Sequence, residues 1–358
     1  MTSAQHPVSK HRATGKVLTV LGPIEPAKVG VTLTHEHLLI DFRPVFQEPE
    51  GATGKRVSRE KVTLENLGWV RYNWNGSLDN LQILDEEVTI REAAEYFKAG
   101  GSTIVDVTSV GLARDPEALA RVSRATGLNV VMGAGYYVGM THSDWFRKAG
   151  VDEIAHGIIR DVEKGVDGAG IRAGIIGEIG CSWPWTESEK KSLRAAVIAQ
   201  IETGAPLLIH PGRNEKAPME LLNAIDEWGG DLNRTVMGHI ERTIYDRGAL
   251  KEAAQSGAYV NFDLFGHESS YYPFAADTYM PADHERIQMI EYVAGLGRQD
   301  RILLAHDICT KHRLKTYGGH GWDHLIARVA PRMRKLGFSE ELLRMIFVDN
   351  PTRMLTFK

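Results

Sequence analysis

Short apolar runs alternate with amphipathic stretches along most of the chain, and this alternation predicts the fold. Counted from Val31, eight short apolar runs have the character of strands, and a stretch with helical periodicity follows each of them. Strands that are apolar throughout are typical of a parallel sheet buried on both faces. Eight β/α units make a closed barrel, so we predict an α/β protein with a single TIM (β/α)8 barrel. An open doubly wound sheet is the alternative, but no G-x-G-x-x-G motif opens a helix after a strand.

The boundaries of the predicted elements follow from this pattern and from glycine and proline positions. Predicted strands cover about 30–34, 102–108, 129–135, 173–179, 206–210, 235–239, 258–263 and 301–307. Predicted helices cover 89–98, 116–126, 141–165, 187–203, 218–228, 245–256, 284–296, 322–336 and 339–348.

The segments outside this alternation complete the predicted architecture. Residues 1–14 are polar and are expected to form a flexible tail, which leaves 15–358 as one barrel domain. Residues 16–24 predict a short hairpin that caps the barrel bottom. Residues 42–85 are irregular and rich in Trp and Tyr, so we expect a long loop beside the C-terminal face, with a helix near 59–70.

Composition and charge exclude several classes of protein. The chain has 358 residues, 43% of them hydrophobic, and a formal net charge of -4, so no basic surface points to a nucleic-acid partner. Only two cysteines occur, which excludes a disulfide framework and fits a reducing cytoplasm. The N-terminal residues lack the apolar segment of a secretory signal, and no run of about 18 apolar residues is long enough to span a membrane.

Polar residues that can bind metals stand at the ends of five predicted strands. His35 and His37 end the first strand, and residues i and i+2 of a strand share a face. The later strand ends carry Glu178, His210, His239 and Asp307. All strand ends of a barrel open onto one face, so these four histidines and two carboxylates are expected to converge.

Taken singly, a histidine at a strand end is more often a hydrogen-bonded structural group than a ligand. Their joint occurrence favours a binuclear centre of two divalent cations that share a carboxylate and a water. Imidazole and carboxylate ligands without thiolate suit Zn²⁺ best, and Mn²⁺, Co²⁺ or Fe²⁺ are also possible. Glu178 lies in an otherwise apolar strand, where a carboxylate is costly to bury unless a cation binds it.

The motif set resembles the phosphotriesterase family of the amidohydrolase superfamily, and most of all its phosphotriesterase-related subgroup, which includes resiniferatoxin-binding proteins. The likeness covers about residues 15–358. The stretches that carry it are Thr34–Leu38, Val105–Thr108, Gly133–Tyr137, Gly177–Gly180, Thr203–Pro206, His210–Arg213, Gly238–Thr243 and His306–Cys309.

The resemblance implies a metal assignment for each strand-end residue. His35, His37 and Asp307 would hold the buried metal, His210 and His239 the exposed metal, and Glu178 would bridge the two. Phosphotriesterases and related lactonases use a carboxylated lysine as this bridge, so Glu178 is a departure that weakens any transfer of their activities. The resemblance also implies a homodimer.

These ligands predict a metal-dependent hydrolase with a small-molecule substrate, which uses a metal-bridging hydroxide to attack a carboxylic ester, lactone or amide. Asp307 is the expected acceptor of the water's proton, whereas His306 is expected to be structural. Tyr137, Arg213 and Arg242 are candidate substrate contacts, and the two arginines would hold an anionic group. Tyr137 could equally pack at the rim, and the arginines could simply be solvated.

Phosphotriester hydrolysis is the first alternative function, and non-catalytic binding of a hydrophobic, resiniferatoxin-like ligand is the second. Aromatic residues of long loops are expected either to wall the pocket or to pack within the loops: Trp69, Trp74, Tyr271 and Tyr272.

Overall fold

Eight parallel strands form a sheet that nearly closes into a barrel, which confirms the predicted TIM-barrel fold. The computed structural model describes residues 13–269, 271–275 and 277–358. In chain order the barrel strands are β3 (Thr32–Glu36), β6 (Thr103–Asp106), β7 (Asn129–Ala134), β8 (Ile175–Gly180), β9 (Leu207–His210), β10 (Thr235–Met237), β11 (Tyr259–Phe262) and β12 (Ile302–Leu304).

Two hydrogen bonds join the first and last of these strands where the barrel closes. Thr34 Oγ1 donates to the carbonyl oxygen of Leu304 at 3.0 Å, and the Asp307 amide donates to the carbonyl oxygen of His35 at 3.1 Å. The second bond ties two predicted metal ligands to each other through the backbone. A register shift between Leu33 and Glu36 interrupts the pairing of β3 with β6 at the same place.

Most residues of the barrel strands are apolar because the strands are buried on both faces. Alternate residues such as Val105, Val131 and Leu208 form one cluster with the N-terminal hairpin and the last helix. Their neighbours, such as Ile104 and Val130, belong to the larger cluster that includes the surrounding helices. This double burial explains why the sequence shows continuous apolar runs rather than alternation.

The helices of the structure follow the predicted order. They are α1 (Ala52–Val57), α2 (Leu67–Tyr72), α3 (Glu86–Lys98), α4 (Pro116–Thr126), α5 (Asp144–Lys148), α6 (Val151–Glu163), α7 (Glu187–Thr203), α8 (Ala217–Glu227), α9 (Ile240–Thr243), α10 (Arg247–Gln255), α11 (Asp283–Gly295), α12 (Ala330–Lys335), α13 (Glu340–Arg344) and α14 (Asn350–Leu355). Two π-helical runs, Leu325–Val329 and Met345–Asp349, lie in the predicted helices 322–336 and 339–348. No helix within the described part of the chain is long and apolar enough to cross a bilayer.

The remaining strands lie outside the barrel. The predicted hairpin is present as β1 (Val17–Thr19) paired antiparallel with β2 (Gly22–Ile24). It lies at the N-terminal ends of the barrel strands, because the Val20 amide donates to the carbonyl oxygen of Val130 near the start of β7. A second small antiparallel pair, β4 (Ile40–Asp41) and β5 (Gln82–Ile83), closes the base of the 42–85 loop. Most of the predicted tail, residues 1–12, lies outside the described residues.

The 42–85 loop corrects one prediction, because the helix expected near 59–70 is absent over 59–66. Side chains bind the backbone of this stretch instead. Asp79 accepts a hydrogen bond from the Val62 amide at 2.9 Å, and Asn66 accepts one from the Thr63 amide at 2.9 Å. These bonds satisfy backbone groups that a helix would otherwise use, so helical structure is confined to α1 and α2.

Candidate metal centre

The six strand-end residues converge at the C-terminal face of the barrel. His35 is in β3, Glu178 in β8 and His210 at the end of β9, while His239 and Asp307 follow β10 and β12. The four histidines and Glu178 expose at most 4% of their surface. Asp307 is the most accessible member, with 13% of its side chain exposed.

Glu178 lies at the middle of the group. Its Oε1 is 3.4 Å from His37 Nε2, and its Oε2 is 3.4 Å from His35 Nε2 and 2.9 Å from His210 Nδ1. His239 Nε2 lies 3.6 Å from the same oxygen. One carboxylate therefore faces a nitrogen of all four imidazoles, which is the arrangement required of a bridging ligand.

Asp307 faces the two histidines of the first strand. Its Oδ1 lies 3.2 Å from His37 Nε2 and 3.7 Å from His35 Nε2. His35, His37 and Asp307 together offer three ligand atoms within 4.8 Å of one another. A second group of this kind joins His35 and His239 with Glu178.

The other ring nitrogen of three of these histidines lies close to a side-chain oxygen. His37 Nδ1 is 2.9 Å from Thr108 Oγ1, and His239 Nδ1 is 2.8 Å from Asp263 Oδ1. His35 Nδ1 lies 2.9 Å from Asp263 Oδ2. An acceptor at Nδ1 keeps the proton there and leaves the Nε2 lone pair free for a cation.

Asp263 is the functional residue that sequence reasoning missed. It follows β11, is fully buried, and contacts one histidine of each predicted metal through its two oxygens. Its signal was present in the sequence, since it is a carboxylate at a strand end like Glu178 and Asp307. The absence of a side chain at Gly238 lets the Asp263 carboxylate lie close to the backbone there, because a Cβ at that position would be 3.1 Å from Asp263 Oδ2.

The carboxylates of the centre shift the pKa values of the histidines that face them. Burial lowers the pKa of His35, but Asp263 and Glu178 raise it by more, so it stands well above its ordinary value. Burial likewise lowers the pKa of His37, and Asp307 and Glu178 raise it to about 9. Burial raises the pKa of Glu178, but His210 and His35 lower it by more, to well below its ordinary value. The carboxylates thus draw protons onto His35 and His37, as they would draw a cation, whereas burial keeps the pKa of His210 well below its ordinary value.

The backbone is strained where two of these side chains leave their strands. His239 has φ of 51° and Asp307 has φ of 50°, in the left-handed region that residues other than glycine rarely adopt. Hydrogen bonds hold both conformations, since the His239 amide donates to Asp263 at 2.9 Å and the Asp307 amide to His35. Such strain is common at functional sites.

Glu36, between the two ligand histidines, holds the last strand end in place. Its Oε1 accepts from the amide and Nδ1 of His306 at 2.7 and 2.8 Å. Its Oε2 accepts from the Ile308 amide at 3.0 Å and Trp322 Nε1 at 3.1 Å. These donors fix the backbone on both sides of Asp307, and His306 Nε2 accepts from the Leu325 amide, in agreement with the structural role predicted for His306.

A cavity of about 400 Å³ opens above the centre. The predicted contacts Tyr137, Arg213 and Arg242 line it, together with His210, His239 and Asp307. Tyr137 Oη lies 3.4 Å from His210 Nε2. Trp74, Tyr271 and Tyr272 also line this cavity, whereas Trp69 packs in a small cluster with Val62, Leu67 and Val70.

The two predicted arginines are both held by neighbouring groups at the cavity wall. Arg242 is buried and donates to the carbonyl oxygen of Pro211 at 3.0 Å and to Thr243 Oγ1 at 2.9 Å. Arg213 donates from Nε to Tyr272 Oη at 2.7 Å, and its guanidinium stacks 4.7 Å from the ring centre of Phe274. Both are held rigidly at the cavity wall.

Comparisons with known proteins agree with this geometry. The model of the phosphotriesterase family matches residues 15–355. A Salmo salar protein described as N-acetyltaurine hydrolase is 46% identical, over 96% of this chain and 99% of its own length. A Nematostella vectensis protein described as phosphotriesterase-related is 44% identical, with the same coverage of both chains.

A solved structure gives the same result for the fold. A resiniferatoxin-binding protein from Rhodobacter sphaeroides is 35% identical and superposes with a TM-score of 0.93, over 99% of this chain and 98% of that one. The predicted resemblance to phosphotriesterase-related proteins is therefore confirmed, as is the prediction of a hydrolase. The chain belongs to the phosphotriesterase family.

Proposed function

We propose that this protein is a binuclear metal-dependent amidase that cleaves N-acyl derivatives of small anionic amines, with N-acetyltaurine as the first substrate to test. The observation that carries the proposal is the approach of four imidazole nitrogens to one carboxylate, within 3.6 Å, at the floor of a cavity lined by arginines. The relatives described as N-acetyltaurine hydrolases support the choice of substrate.

The donor set fits two divalent cations. His35 Nε2 is buried and has no hydrogen-bond partner among the described residues, which is costly for a polar atom unless a cation binds it. Two buried carboxylates, Glu178 and Asp263, and the partly exposed Asp307 concentrate negative charge at the centre. Two cations would offset it.

The residues divide between the two proposed sites as the sequence predicts. His35, His37 and Asp307 would hold one cation, and His210 and His239 the other. Glu178 would bind both, and it needs no carbon dioxide to do so. Imidazole and carboxylate ligands suit Zn²⁺. When bound, such cations lower the pKa of a water and polarise the scissile carbonyl.

The protein residues provide binding, orientation and proton transfer. Asp263 and Thr108 fix the ring orientation of the ligand histidines. Asp307 lies at the cavity floor and is the carboxylate of the centre that a substrate reaches most easily. It takes a proton from the attacking water while the new C–O bond forms. It then delivers that proton to the amine nitrogen as the C–N bond breaks.

The arginines at the wall favour an anionic substrate over a neutral phosphotriester. Arg213 and Arg242 make the cavity wall positively charged, and guanidinium groups bind carboxylates and sulfonates through paired hydrogen bonds. Tyr137, next to His210, would lie beside the acyl group.

The proposal is tested with metal-reconstituted protein and a panel of N-acetyltaurine, N-acetyl-β-alanine, a lactone and a paraoxon-type ester. We expect release of acetate and taurine in equal amounts and the highest kcat/KM for the anionic amides. Asp307→Asn should lower this kcat/KM by about 100- to 10,000-fold. Glu268→Gln, which removes an exposed carboxylate at the same cavity, is the control and should retain activity. Turnover of the lactone or ester alone would contradict the amide proposal. No turnover at full metal occupancy would favour a binding protein.

A further inference from the structure

The cavity contains a fourth positively charged group that neither the sequence analysis nor the metal chemistry uses. We infer that Arg313, on the loop after β12, is the specificity-determining residue that binds the anionic group of the substrate. This inference rests on the proposed function, because it names the residue that selects the charged leaving amine. It assigns to Arg313 the role expected of Arg213 and Arg242.

Four arginines line the cavity, and three of them already have hydrogen-bond partners. Arg71 donates to the carbonyl oxygen of Gly318, Arg213 to Tyr272, and Arg242 to Pro211 and Thr243. The guanidinium of Arg313 makes no hydrogen bond to any residue that the structure describes, and its Nε is a buried atom without a partner. Over the described ranges, none of the four has a carboxylate oxygen within 4.0 Å.

The three histidines beside Arg313 do not compensate its charge. Three histidines, His267, His312 and His320, line the same part of the cavity. Burial holds the pKa of each well below its ordinary value, and the charge of Arg313 lowers it further, so all three are neutral at pH 7. Burial also lowers the pKa of Arg313 to about 10, which still leaves the guanidinium charged at neutral pH.

Arg313 also lies near the reacting centre. The carboxylate of Asp307 is one of the groups that raise the pKa of Arg313, and Asp307 lines the same cavity. A small substrate with its carbonyl at the metal ligands could therefore extend its charged end to this arginine. The cavity of about 400 Å³ is large enough for such a molecule.

The position of Arg313 is fixed by its own loop. Its carbonyl oxygen accepts a hydrogen bond from the Gly321 amide at 2.9 Å. Gly319 packs directly on its backbone, because a Cβ at that position would lie 2.0 Å from the Arg313 carbonyl carbon. The backbone that carries the Arg313 side chain is therefore already ordered, so a ligand that binds the guanidinium need not order the loop, which favours affinity.

A half-buried cation whose Nε has no partner is unfavourable, and a bound anion removes this cost through charge-assisted hydrogen bonds. A neutral analogue leaves the guanidinium unpaired, so a site of this kind discriminates strongly against it. Carboxylate and sulfonate share the required chemistry, and the experiment separates them.

The test compares Arg313→Gln, Arg313→Lys and the wild type on N-acetyltaurine, N-acetyl-β-alanine and the neutral N-acetylpropylamine. For Arg313→Gln we expect kcat/KM to fall about 10- to 100-fold on the two anionic amides, mainly through KM, and to change less than about threefold on the neutral amide. Arg313→Lys should recover part of the loss. Arg328→Gln, an exposed arginine outside the cavity, controls for net charge and should match the wild type.

A direct binding measurement separates this inference from the proposed function. Titration calorimetry of metal-loaded protein with ethanesulfonate and with propionate measures the anion site without turnover. Weaker binding to Arg313→Gln supports the inference even if no amide is hydrolysed, and the ratio of the two affinities identifies the preferred anion. An equal loss of kcat/KM on neutral and anionic amides, or unchanged ethanesulfonate binding, would overturn it. Circular dichroism and metal content establish that each variant is folded and loaded.

Discussion

Asp263→Asn is the substitution that most clearly separates the orientation of the metal ligands from their presence. The carboxylate of Asp263 accepts from His239 Nδ1 at 2.8 Å and lies 2.9 Å from His35 Nδ1. An asparagine side chain of the same shape has a single acceptor oxygen. Its amide N–H groups would face one of the two histidines and favour the tautomer in which Nε2 carries the proton.

The magnitude follows from these two contacts. Loss of one partner behind a metal-bound histidine typically weakens metal binding 10- to 100-fold. Asp263 contacts one histidine of each proposed metal site. In Asp263→Asn one of these contacts is lost, and the other changes from a carboxylate to a neutral amide acceptor. We therefore expect metal affinity to fall by about 100-fold, with all six ligands still present.

The assay is competition between the protein and a chelator of known affinity, with the metal content read by elemental analysis. Asp161→Asn is the matched control, because Asp161 is another buried aspartate, paired with Arg114 at 2.9 Å and outside the centre. This control should lose stability without losing metal affinity. Wild-type metal affinity in Asp263→Asn would refute the assignment of Asp263 as the residue that orients both histidines.

Four further predictions rest on contacts of the centre and of Glu36. Thr108→Val removes the acceptor at His37 Nδ1 and should weaken metal binding about 10- to 100-fold in the same competition assay, while Thr108→Ser should not. Glu36→Gln places an amide against four hydrogen-bond donors and should lower the free energy of unfolding by about 3 kcal/mol or more, measured by denaturant titration. The pKa of His37, about 9 in the metal-free protein, lies above the ordinary value of about 6.5. This contribution to stability is therefore fully present below pH 6.5 and is lost as the pH rises toward 9, so thermal unfolding of metal-free protein should show a decline over that range. Metal affinity should rise over the same range, because a cation then displaces fewer protons.

Most of the fold could be predicted because the information is local. The strands of a barrel are apolar on both faces, and glycine and capping residues mark the helix ends. Helix α4 and helix α7 have the predicted bounds, with Gly127 and Gly204 in the left-handed conformation at their C-terminal ends. The 59–66 segment could not be predicted, since contacts with the distant Asp79 replace helical hydrogen bonds.

The candidate site also combines residues that local sequence patterns identify with residues that only long-range contacts identify. The six predicted ligands are marked by their position at strand ends, and barrel topology brings such ends together. Asp263 also follows a barrel strand. Its role depends on contacts with His35 and His239, which the sequence does not reveal. Arg313 lies in a short helical turn that ends no strand. Only the folded loop brings its side chain into the cavity, so no local pattern identifies it.

The metal content of Glu178→Ala shows whether this carboxylate bridges two cations. The account assigns Glu178 to both cations, so wild-type protein should contain two metal ions per chain after reconstitution. Glu178→Ala should contain one or fewer and lose hydrolytic activity. Two metal ions per chain in the folded variant would contradict the proposed binuclear centre and its bridge.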